Sequence, residues 1–162
     1  MASFDSAGFR HVLGHLPTGV TVVTGLSASG EPGGLTIGSF TSASLDPPLV
    51  GFLPGKSSTS WPEIAPGGVF CVNILAADQA ELCWRFAKET AGRFQGLDWT
   101  PAPSGSPILS GVVGWIDCSV EQVHEVGDHW FVVGRVEELY AQTAVTDAMI
   151  FFRGTVCGVR PL

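Results

Sequence analysis

Hydroxyl side chains and one lysine are concentrated in a single stretch of this 162-residue chain, between Gly34 and Ser60. Six of the hydroxyl residues flank the dipeptide Pro47-Pro48: Thr36, Ser39, Thr41, Ser42, Ser44 and Ser58. A phosphate needs several short donors that converge from one side, and small hydroxyl residues also let backbone N–H groups approach. Lys56 would add a positive charge. The stretch predicts an anion site, while Ser and Thr are also common in ordinary turns between strands.

Histidines give two further indications. His11 and His15 have the i, i+4 spacing of metal ligands on a helix, but the residues between them lack the glutamate of a metallopeptidase. We therefore predict no metal site and interpret both as surface or interface histidines. The Gly127-Asp128 turn delivers His129 to the start of an apolar strand, either as an exposed hairpin tip or as a donor at the mouth of a pocket.

Composition narrows the class of protein. Eight Lys and Arg against fifteen Asp and Glu give a net charge of −7, and no basic run occurs, so nucleic acid is not an expected partner. No apolar run approaches the roughly 20 residues of a membrane helix, and residues 1–5 lack the features of an export signal. We expect a cytoplasmic protein with no membrane contact. A hydrophobic fraction of 45% with only 14% charged residues leaves a large neutral surface that suits an oligomer.

Several well-known motifs are absent. The four cysteines are far apart and form no Cys-x-x-Cys pair, so we expect reduced thiols in the core. The chain contains no Gly-x-Gly-x-x-Gly, no Walker loop and no Gly-x-Ser-x-Gly. Any nucleotide must therefore be bound by another architecture.

Hydrophobic periodicity predicts a mainly β single domain spanning residues 1–162. Helical spacing marks residues 9–16 and 78–88, with a single turn at 61–64. Strand-like runs cover 20–26, 35–39, 49–53, 69–75, 112–126 and 130–140. Alternation from Ile116 to Glu121 places Asp117 on a solvent face, and the Pro-rich segment 100–107 is interpreted as a surface loop. Many short strands with few helices favour a closed or nearly closed barrel.

One ordered set of segments resembles the flavin reductase family that supplies reduced flavin to two-component monooxygenases, and within it the reductase of the steroid-degrading hydroxylase system. The segments span nearly the whole chain: 18–20, 34–50, 56–61, 70–75, 94–99, 106–108, Gly127-Asp128-His129 and 151–154. The resemblance implies a split β-barrel homodimer with short flanking helices, carrying FMN or possibly FAD and using NADH or NADPH as the hydride donor.

The same resemblance implies roles for individual residues. Thr36, Ile37, Gly38 and Ser39 would lie along the isoalloxazine edge, and Ser42, Ala43 and Ser44 would continue that wall. Lys56, Ser58 and Ser60 would hold the phosphate. Phe94 would lie near the flavin, and His129 would position the nicotinamide. Two residues depart from the family pattern: Thr59 stands where relatives often have an arginine, and Val156 stands where an aromatic is usual.

Three functions fit the resemblance. The first is an NAD(P)H-dependent flavin reductase that passes reduced flavin transiently to a monooxygenase, since the hydride chemistry belongs to the cofactor. The second is an FMN-binding electron carrier with no significant NAD(P)H oxidation. The third is a related split-barrel oxidase of a phosphorylated small molecule such as a pyridoxine vitamer. The Gly-Asp-His and Ser-Leu-Asp-Pro-Pro patterns resemble the reductases more closely and rank the oxidase last. The reductase and the electron carrier share the hydroxyl residues, so the sequence leaves both open.

Overall fold

The computed structural model describes residues 4–88, 91–144 and 147–159. The helices are α1 (Ser6–Leu13), α2 (Ser60–Ile64) and α3 (Ala80–Lys88), with a 3-10 turn at Ala65–Gly67. The strands, in chain order, are β1 (Thr18–Gly19), β2 (Thr21–Leu26), β3 (Pro32–Ile37), β4 (Thr41–Leu45), β5 (Pro48–Phe52), β6 (Val69–Ile74), β7 (Trp99–Pro101), β8 (Pro107–Leu109), β9 (Gly114–Val126), β10 (His129–Ala141), β11 (Met149–Phe152) and β12 (Thr155–Gly158).

Most strands form one antiparallel sheet in the order β3-β2-β6-β9-β10-β5-β4. Side chains from β2, β3, β5, β6, β9 and β10 meet in one buried cluster with Trp61 and Ile64 of α2, so the sheet wraps around its own core. Between the end strand β3 and β5, the second strand from the other end, the Leu53 N–H after β5 donates to Ser39 Oγ after β3 at 2.9 Å. The sheet thus approaches closure at its split, and this confirms the predicted split β-barrel.

Two smaller sheets flank the barrel. β1, β11 and β12 form one, and β7 pairs with β8 in the other. A second buried cluster fills the space between these sheets, α3 and the barrel; its members include Val22, Leu75, Phe86, Leu109 and Met149. The cluster joins α3 and β11 to the barrel, and both of these elements contribute side chains to the site described below.

The predicted helices are present with shifted bounds. α1 begins after Asp5, whose Oδ1 accepts from the Gly8 N–H at 2.7 Å, and it ends before Gly14, so Leu16 lies beyond it. α3 begins at Ala80, two residues later than predicted, because the Gln79 N–H is already bonded to the Ala76 carbonyl in a preceding turn. Within the described residues, no helix has the length and apolar character needed to cross a membrane.

Two expectations about exposure were wrong. Asp117 was predicted to face water, but it is only 1% exposed, because its carboxylate accepts from the Ser104 N–H at 2.9 Å and the Ser104 hydroxyl at 2.6 Å. The Pro-rich segment was interpreted as a surface loop. Its ends instead pair as β7 and β8, and Ala102 and Ser106 are buried. The Ser104 turn covers the face of β9 that alternation assigned to solvent.

A buried amide joins the β7–β8 hairpin to the barrel. Asn73 on β6 is fully buried; its amide N–H groups donate to the carbonyls of Val22 and Pro107, and its Oδ1 accepts from the Leu109 N–H at 2.8 Å. We expect Asn73→Ala to lower the free energy of unfolding by about 3 kcal/mol, because it leaves several buried backbone groups without partners. Chemical denaturation measures this. Gln122→Ala, on an exposed part of β9, is the control and should change stability by less than about 0.5 kcal/mol.

Thiol exposure differs among the four cysteines. Cys71, Cys83 and Cys118 are buried as predicted, but Cys157 on β12 is exposed, which corrects the expectation that all four lie in the core. Burial, reinforced by the charge of Asp117, raises the pKa of Cys118 to about 12 and raises that of Cys71 further. Since the thiolate is the reactive form, we expect a disulfide reagent at pH 8 to modify one thiol per folded chain and four after denaturation. A Cys157→Ser variant that still reacts when folded would contradict this.

Candidate functional site

A groove of about 780 Å³ lies beside the split of the barrel, and we refer to it as the groove. Its walls come from α1, the end of β3, the loop after β5, α3, the start of β10 and β11. The lining residues are Phe9, Leu13, Val20, Leu35, Thr36, Ile37, Gly38, Ser39, Leu53, Pro54, Gly55, Ser58, Ser60, Cys83, Trp84, Phe86, Ala87, Arg93, His129 and Phe151. A volume of this size is typical of small-molecule and cofactor sites, which run from roughly 300 to 1,000 Å³.

The end of β3 supplies the wall predicted for the ring edge: Thr36, Ile37, Gly38 and Ser39. Two of its hydroxyl groups are already engaged by the fold. Thr36 Oγ1 donates to the Cys83 carbonyl of α3 at 2.7 Å, and Ser39 Oγ accepts from the Leu53 N–H. These side chains therefore fix the wall in place, and the backbone of Gly38, which has no side chain, is what this wall can offer to a ligand.

A guanidinium lies at the part of the groove lined by Ser58 and Ser60. Arg93 donates from Nη1 to the Gly34 carbonyl at 2.6 Å and also to the hydroxyl of Ser60, which is buried. Sequence reasoning missed Arg93, because it lies in the segment between α3 and β7, 33 residues after Ser60. The sequence did offer one indication of Arg93: Thr59 stands where relatives often have an arginine. A phosphate site that lacks that arginine can receive one from another part of the chain.

Lys56 lies outside the groove. Its ammonium pairs with Glu125 of β9 and lies 5.1 Å from the centre of the Trp130 ring. The Lys56 N–H also donates to the Asp128 carbonyl at 2.9 Å. Lys56 therefore attaches the loop after β5 to the tip of the β9–β10 hairpin, and the cation near the serines of the groove is Arg93.

His129 stands at the predicted position, as the first residue of β10 after the Gly127-Asp128 turn, and it lines the groove. A backbone bridge to Gly55 and the hydrogen bond from the Trp130 N–H to the Pro54 carbonyl hold this end of the strand. The ring Nδ1 lies 2.7 Å from Asp128 Oδ1. This hydrogen bond and the imidazole charge lower the pKa of Asp128. With Nδ1–H donated to Asp128, the other ring nitrogen is left for a ligand.

The remaining predicted residues do not line the groove. Ser42, Ala43 and Ser44 lie on β4, the strand at the other end of the sheet order from β3, where a register shift separates Ser42 from Ser44. Phe94 turns into the second core cluster, with its ring centre 5.2 Å from that of Phe86 and 6.3 Å from that of Trp99.

Apolar side chains form the other side of the groove. Phe9 and Leu13 come from α1, Trp84 from α3 and Phe151 from β11, and the rings of Trp84 and Phe151 meet at 6.4 Å between centres. Among the described residues, no aspartate or glutamate lines the groove, and none of their His, Cys, Asp and Glu side chains cluster as a set that could hold a metal. The groove therefore combines apolar walls, a serine-arginine anion site and one imidazole, which suits a planar ring carrying a phosphate.

The fold and the groove together define a split-barrel protein with a site for a phosphorylated planar ligand. Residues 13–160 match the family described as "Flavin reductase like domain". The chain belongs to this family. A flavin reductase of Pseudomonas putida is 48% identical over 153 residues, covering 94% of this chain and 89% of the relative.

Two further relatives resemble the chain over nearly its full length. The HsaB reductase subunit of a flavin-dependent monooxygenase from Rhodococcus jostii strain RHA1 is 45% identical, covering 98% of this chain and 80% of the relative. The crystal structure of a homologue of nitrilotriacetate monooxygenase component B from Mycobacterium thermoresistibile superposes with a TM-score of 0.93 at 43% identity, covering 97% of this chain and 88% of that one.

Proposed function

We propose that the chain reduces flavin in the groove, using NADH or NADPH as the hydride donor, and that Arg93 and His129 mark the two recognition points of that reaction. Membership in the family makes the chain an NAD(P)H-dependent flavin reductase whose cofactors are a flavin and a reduced nicotinamide. The observation that carries the placement is the guanidinium of Arg93 bonded to Ser60 at one part of a groove whose other side is apolar.

The groove residues fit a flavin mononucleotide unit. Ser58, Ser60 and Arg93 would hold the phosphate, because a guanidinium and short hydroxyl groups are its preferred donors. The backbone from Thr36 to Ser39 would face the polar edge of the ring, and the glycine at position 38 lets a ligand come close. Ser42, Ala43, Ser44, Lys56 and Phe94 have no direct contact in this proposal, because they do not line the groove.

The protein's part in the reaction is binding and orientation. When bound, the flavin supplies the hydride acceptor, so the protein needs no acid or base of its own for that transfer. His129 would orient the nicotinamide amide through its second ring nitrogen, while Asp128 fixes the imidazole. The apolar side chains Phe9, Leu13, Trp84 and Phe151 would exclude water from the stacked rings.

The products are expected to leave the protein. Relatives that are reductase subunits of monooxygenases support supplying reduced flavin to a partner monooxygenase. In our proposal the transfer is transient and proceeds by release of flavin, because the side chain of His129 is 44% exposed and the groove opens beside it. A cytoplasmic location, expected from the sequence, stays a prediction that cell fractionation can test.

A spectroscopic assay tests the activity. Purified protein mixed with catalytic FMN or FAD in air should oxidise NADH or NADPH steadily, followed as loss of the nicotinamide absorbance. The same assay run with each flavin and each nicotinamide gives both preferences. A yellow protein that holds its flavin tightly and is inert to both nicotinamides would contradict the proposal and would favour the electron carrier.

A homodimer is also part of the proposal. Large apolar side chains remain exposed on strands at and near the end of the main sheet, including Leu45 at 93%, Leu139 and Tyr140. Apolar surface of this kind is typical of protein interfaces. Light scattering during gel filtration should give the mass of two chains, and a Leu139→Glu variant should shift it toward one. A wild-type protein that elutes with the mass of one chain at micromolar concentration would contradict the dimer.

A further inference from the structure

A second cavity, of about 270 Å³, lies on α1 away from the groove residues of that helix. It is lined by Arg10, His11, Gly14 and His15 at the end of α1 and by Arg153 and Gly154 at the turn between β11 and β12. We call it the basic pocket. Four of its six lining residues carry or can acquire a positive charge, and no carboxylate of the described residues lines it. This is unusual in a chain whose net charge is −7.

The two arginines of the basic pocket differ from most other described cations. Lys56, Arg85 and Arg135 each pair with a glutamate, and Lys88 lies over the Trp84 ring. Within residues 4–88, 91–144 and 147–159, the side chains of Arg10 and Arg153 have no hydrogen bond or ion pair. Their charges are therefore available to a ligand, and they repel each other unless an anion lies between them.

The backbone at Arg153 gives an independent observation. Arg153 has φ of 50° and Gly154 has φ of 80°, and among the described residues Arg153 is the only non-glycine residue with positive φ. Asn or Gly is preferred at such a position of a two-residue hairpin turn, and arginine is disfavoured there. The Arg153 N–H donates to the Gly14 carbonyl at 2.9 Å, which holds this turn against the end of α1. The strained position thus presents the guanidinium to the histidines.

The two histidines of the basic pocket lie beside its arginines. Their rings lie 5.0 Å apart edge to face, and His15 Nδ1 lies 2.8 Å from the His11 carbonyl. A carbonyl only accepts, so Nδ1 of His15 donates this hydrogen bond, which fixes the ring at the end of α1. Both rings line the same pocket as Arg10 and Arg153, so a ligand of the two arginines would lie beside them.

The helix dipole is an alternative explanation, but it accounts for only some of the cations in the basic pocket. Cations near the end of a helix offset the negative end of its dipole, and Arg10 and His11 lie in the last turn of α1. Arg153 belongs to a different element, and the helix dipole gives no reason for an arginine at a left-handed position. A ligand shared by both elements accounts for all four side chains.

We propose that the basic pocket binds an oxyanion of the phosphate class, held by Arg10 and Arg153 beside the rings of His11 and His15. Two sources carry this chemistry: free phosphate or pyrophosphate, and the diphosphate of a dinucleotide. α1 separates the basic pocket from the groove, with Phe9 and Leu13 on one side and Arg10 and Gly14 on the other. A dinucleotide with its ring in the groove would need to cross only one helix to reach the basic pocket.

Titration with inorganic pyrophosphate tests the site without any flavin or nicotinamide. The carbon-bound ring protons of His11 and His15 should shift in NMR spectra as pyrophosphate is added. Arg153→Asn should weaken binding at least roughly tenfold, the loss expected for a charge-assisted contact. The melting temperature should be retained or raised, because Asn suits the left-handed turn. Arg135→Gln removes the same charge from β10 and should leave binding unchanged.

Several results would overturn the proposal: no shift of the two histidines at millimolar pyrophosphate, equal affinity in Arg153→Asn, or equal loss in Arg135→Gln. Because the probe is pyrophosphate alone, these outcomes are separable from failure of the flavin reductase proposal.

A second arm identifies the source of the anion. If the diphosphate of the nicotinamide dinucleotide occupies the basic pocket, Arg153→Asn should weaken the binding of NAD+ to the FMN-loaded protein and leave FMN binding unchanged by calorimetry. If free phosphate is the ligand, neither NAD+ nor FMN binding should be affected, while pyrophosphate still binds to the wild-type protein loaded with FMN. Either result supports the site, and only the occupant differs.

Discussion

Replacing Arg93 with glutamine is expected to weaken flavin binding by roughly ten- to a hundred-fold, because hydrogen bonds to a charged group contribute about 1.5–3 kcal/mol and each 1.4 kcal/mol is a factor of ten. Lys56→Gln should change the affinity by less than about threefold, since an exposed ion pair such as Lys56–Glu125 contributes little and lies outside the groove. Quenching of FMN fluorescence in the two variants, at matched ionic strength, measures both affinities.

Two controls separate charge from folding in this experiment. Arg93→Lys keeps the charge but loses the planar pair of donors, so its affinity should fall between that of the wild type and that of Arg93→Gln. Riboflavin, which has no phosphate, should bind to wild type and Arg93→Gln with similar affinity. If Lys56→Gln lost more FMN affinity than Arg93→Gln, the phosphate site would lie at the hairpin and not beside Ser60.

Replacing His129 with alanine is expected to lower turnover with NADH by roughly thirty-fold, or about 2 kcal/mol, while FMN affinity remains within about twofold. The physical reason is orientation: in the proposed arrangement the imidazole, fixed by Asp128, would position the nicotinamide, while the phosphate would be held by Ser58, Ser60 and Arg93. Anaerobic rapid mixing of the FMN-loaded protein with NADH measures the reduction step directly.

His124→Ala is the matched control for that experiment. His124 lies on the same hairpin, where its ring is hydrogen-bonded to the Gln122 side chain and does not line the groove. Turnover and flavin affinity should both be unchanged in this variant. Wild-type rates in His129→Ala would remove the imidazole from the site, and a parallel loss of FMN affinity would assign it to the flavin.

The parts of the fold that depend on local pattern were predictable. β2, β6 and β9 lie within the apolar runs that marked them, and β10 extends one residue beyond its run at each end. The family resemblance that depended on Gly34 to Val50 and Gly127 to His129 was confirmed. Both segments are contiguous, and their glycines, prolines and hydroxyl residues determine local backbone geometry. The location of His129 at the groove follows from the two-residue turn that precedes it.

The parts that depend on distant partners were not predictable from one sequence. Lys56 and Glu125 are 69 residues apart, and only the folded hairpin brings them together. Arg93 reaches Ser60 because the segment between α3 and β7 folds back on β3, a contact that no spacing rule encodes. Alternation along β9 places Asp117 on the face opposite the core, as predicted. The prediction of exposure failed because the Ser104 turn covers that face of the strand.

The separation of Lys56 from Arg93 also affects the rates at which nucleotides bind and dissociate. A molecule with a net charge of −7 repels anionic nucleotides at long range, and with Lys56 neutralised by Glu125 little on this rim opposes the repulsion. Inside the groove, the attraction comes from the guanidinium of Arg93 and acts at short range. Added salt screens the long-range repulsion and should therefore raise the association rate of flavin. It also weakens the contact with Arg93, so the dissociation rate should rise as well.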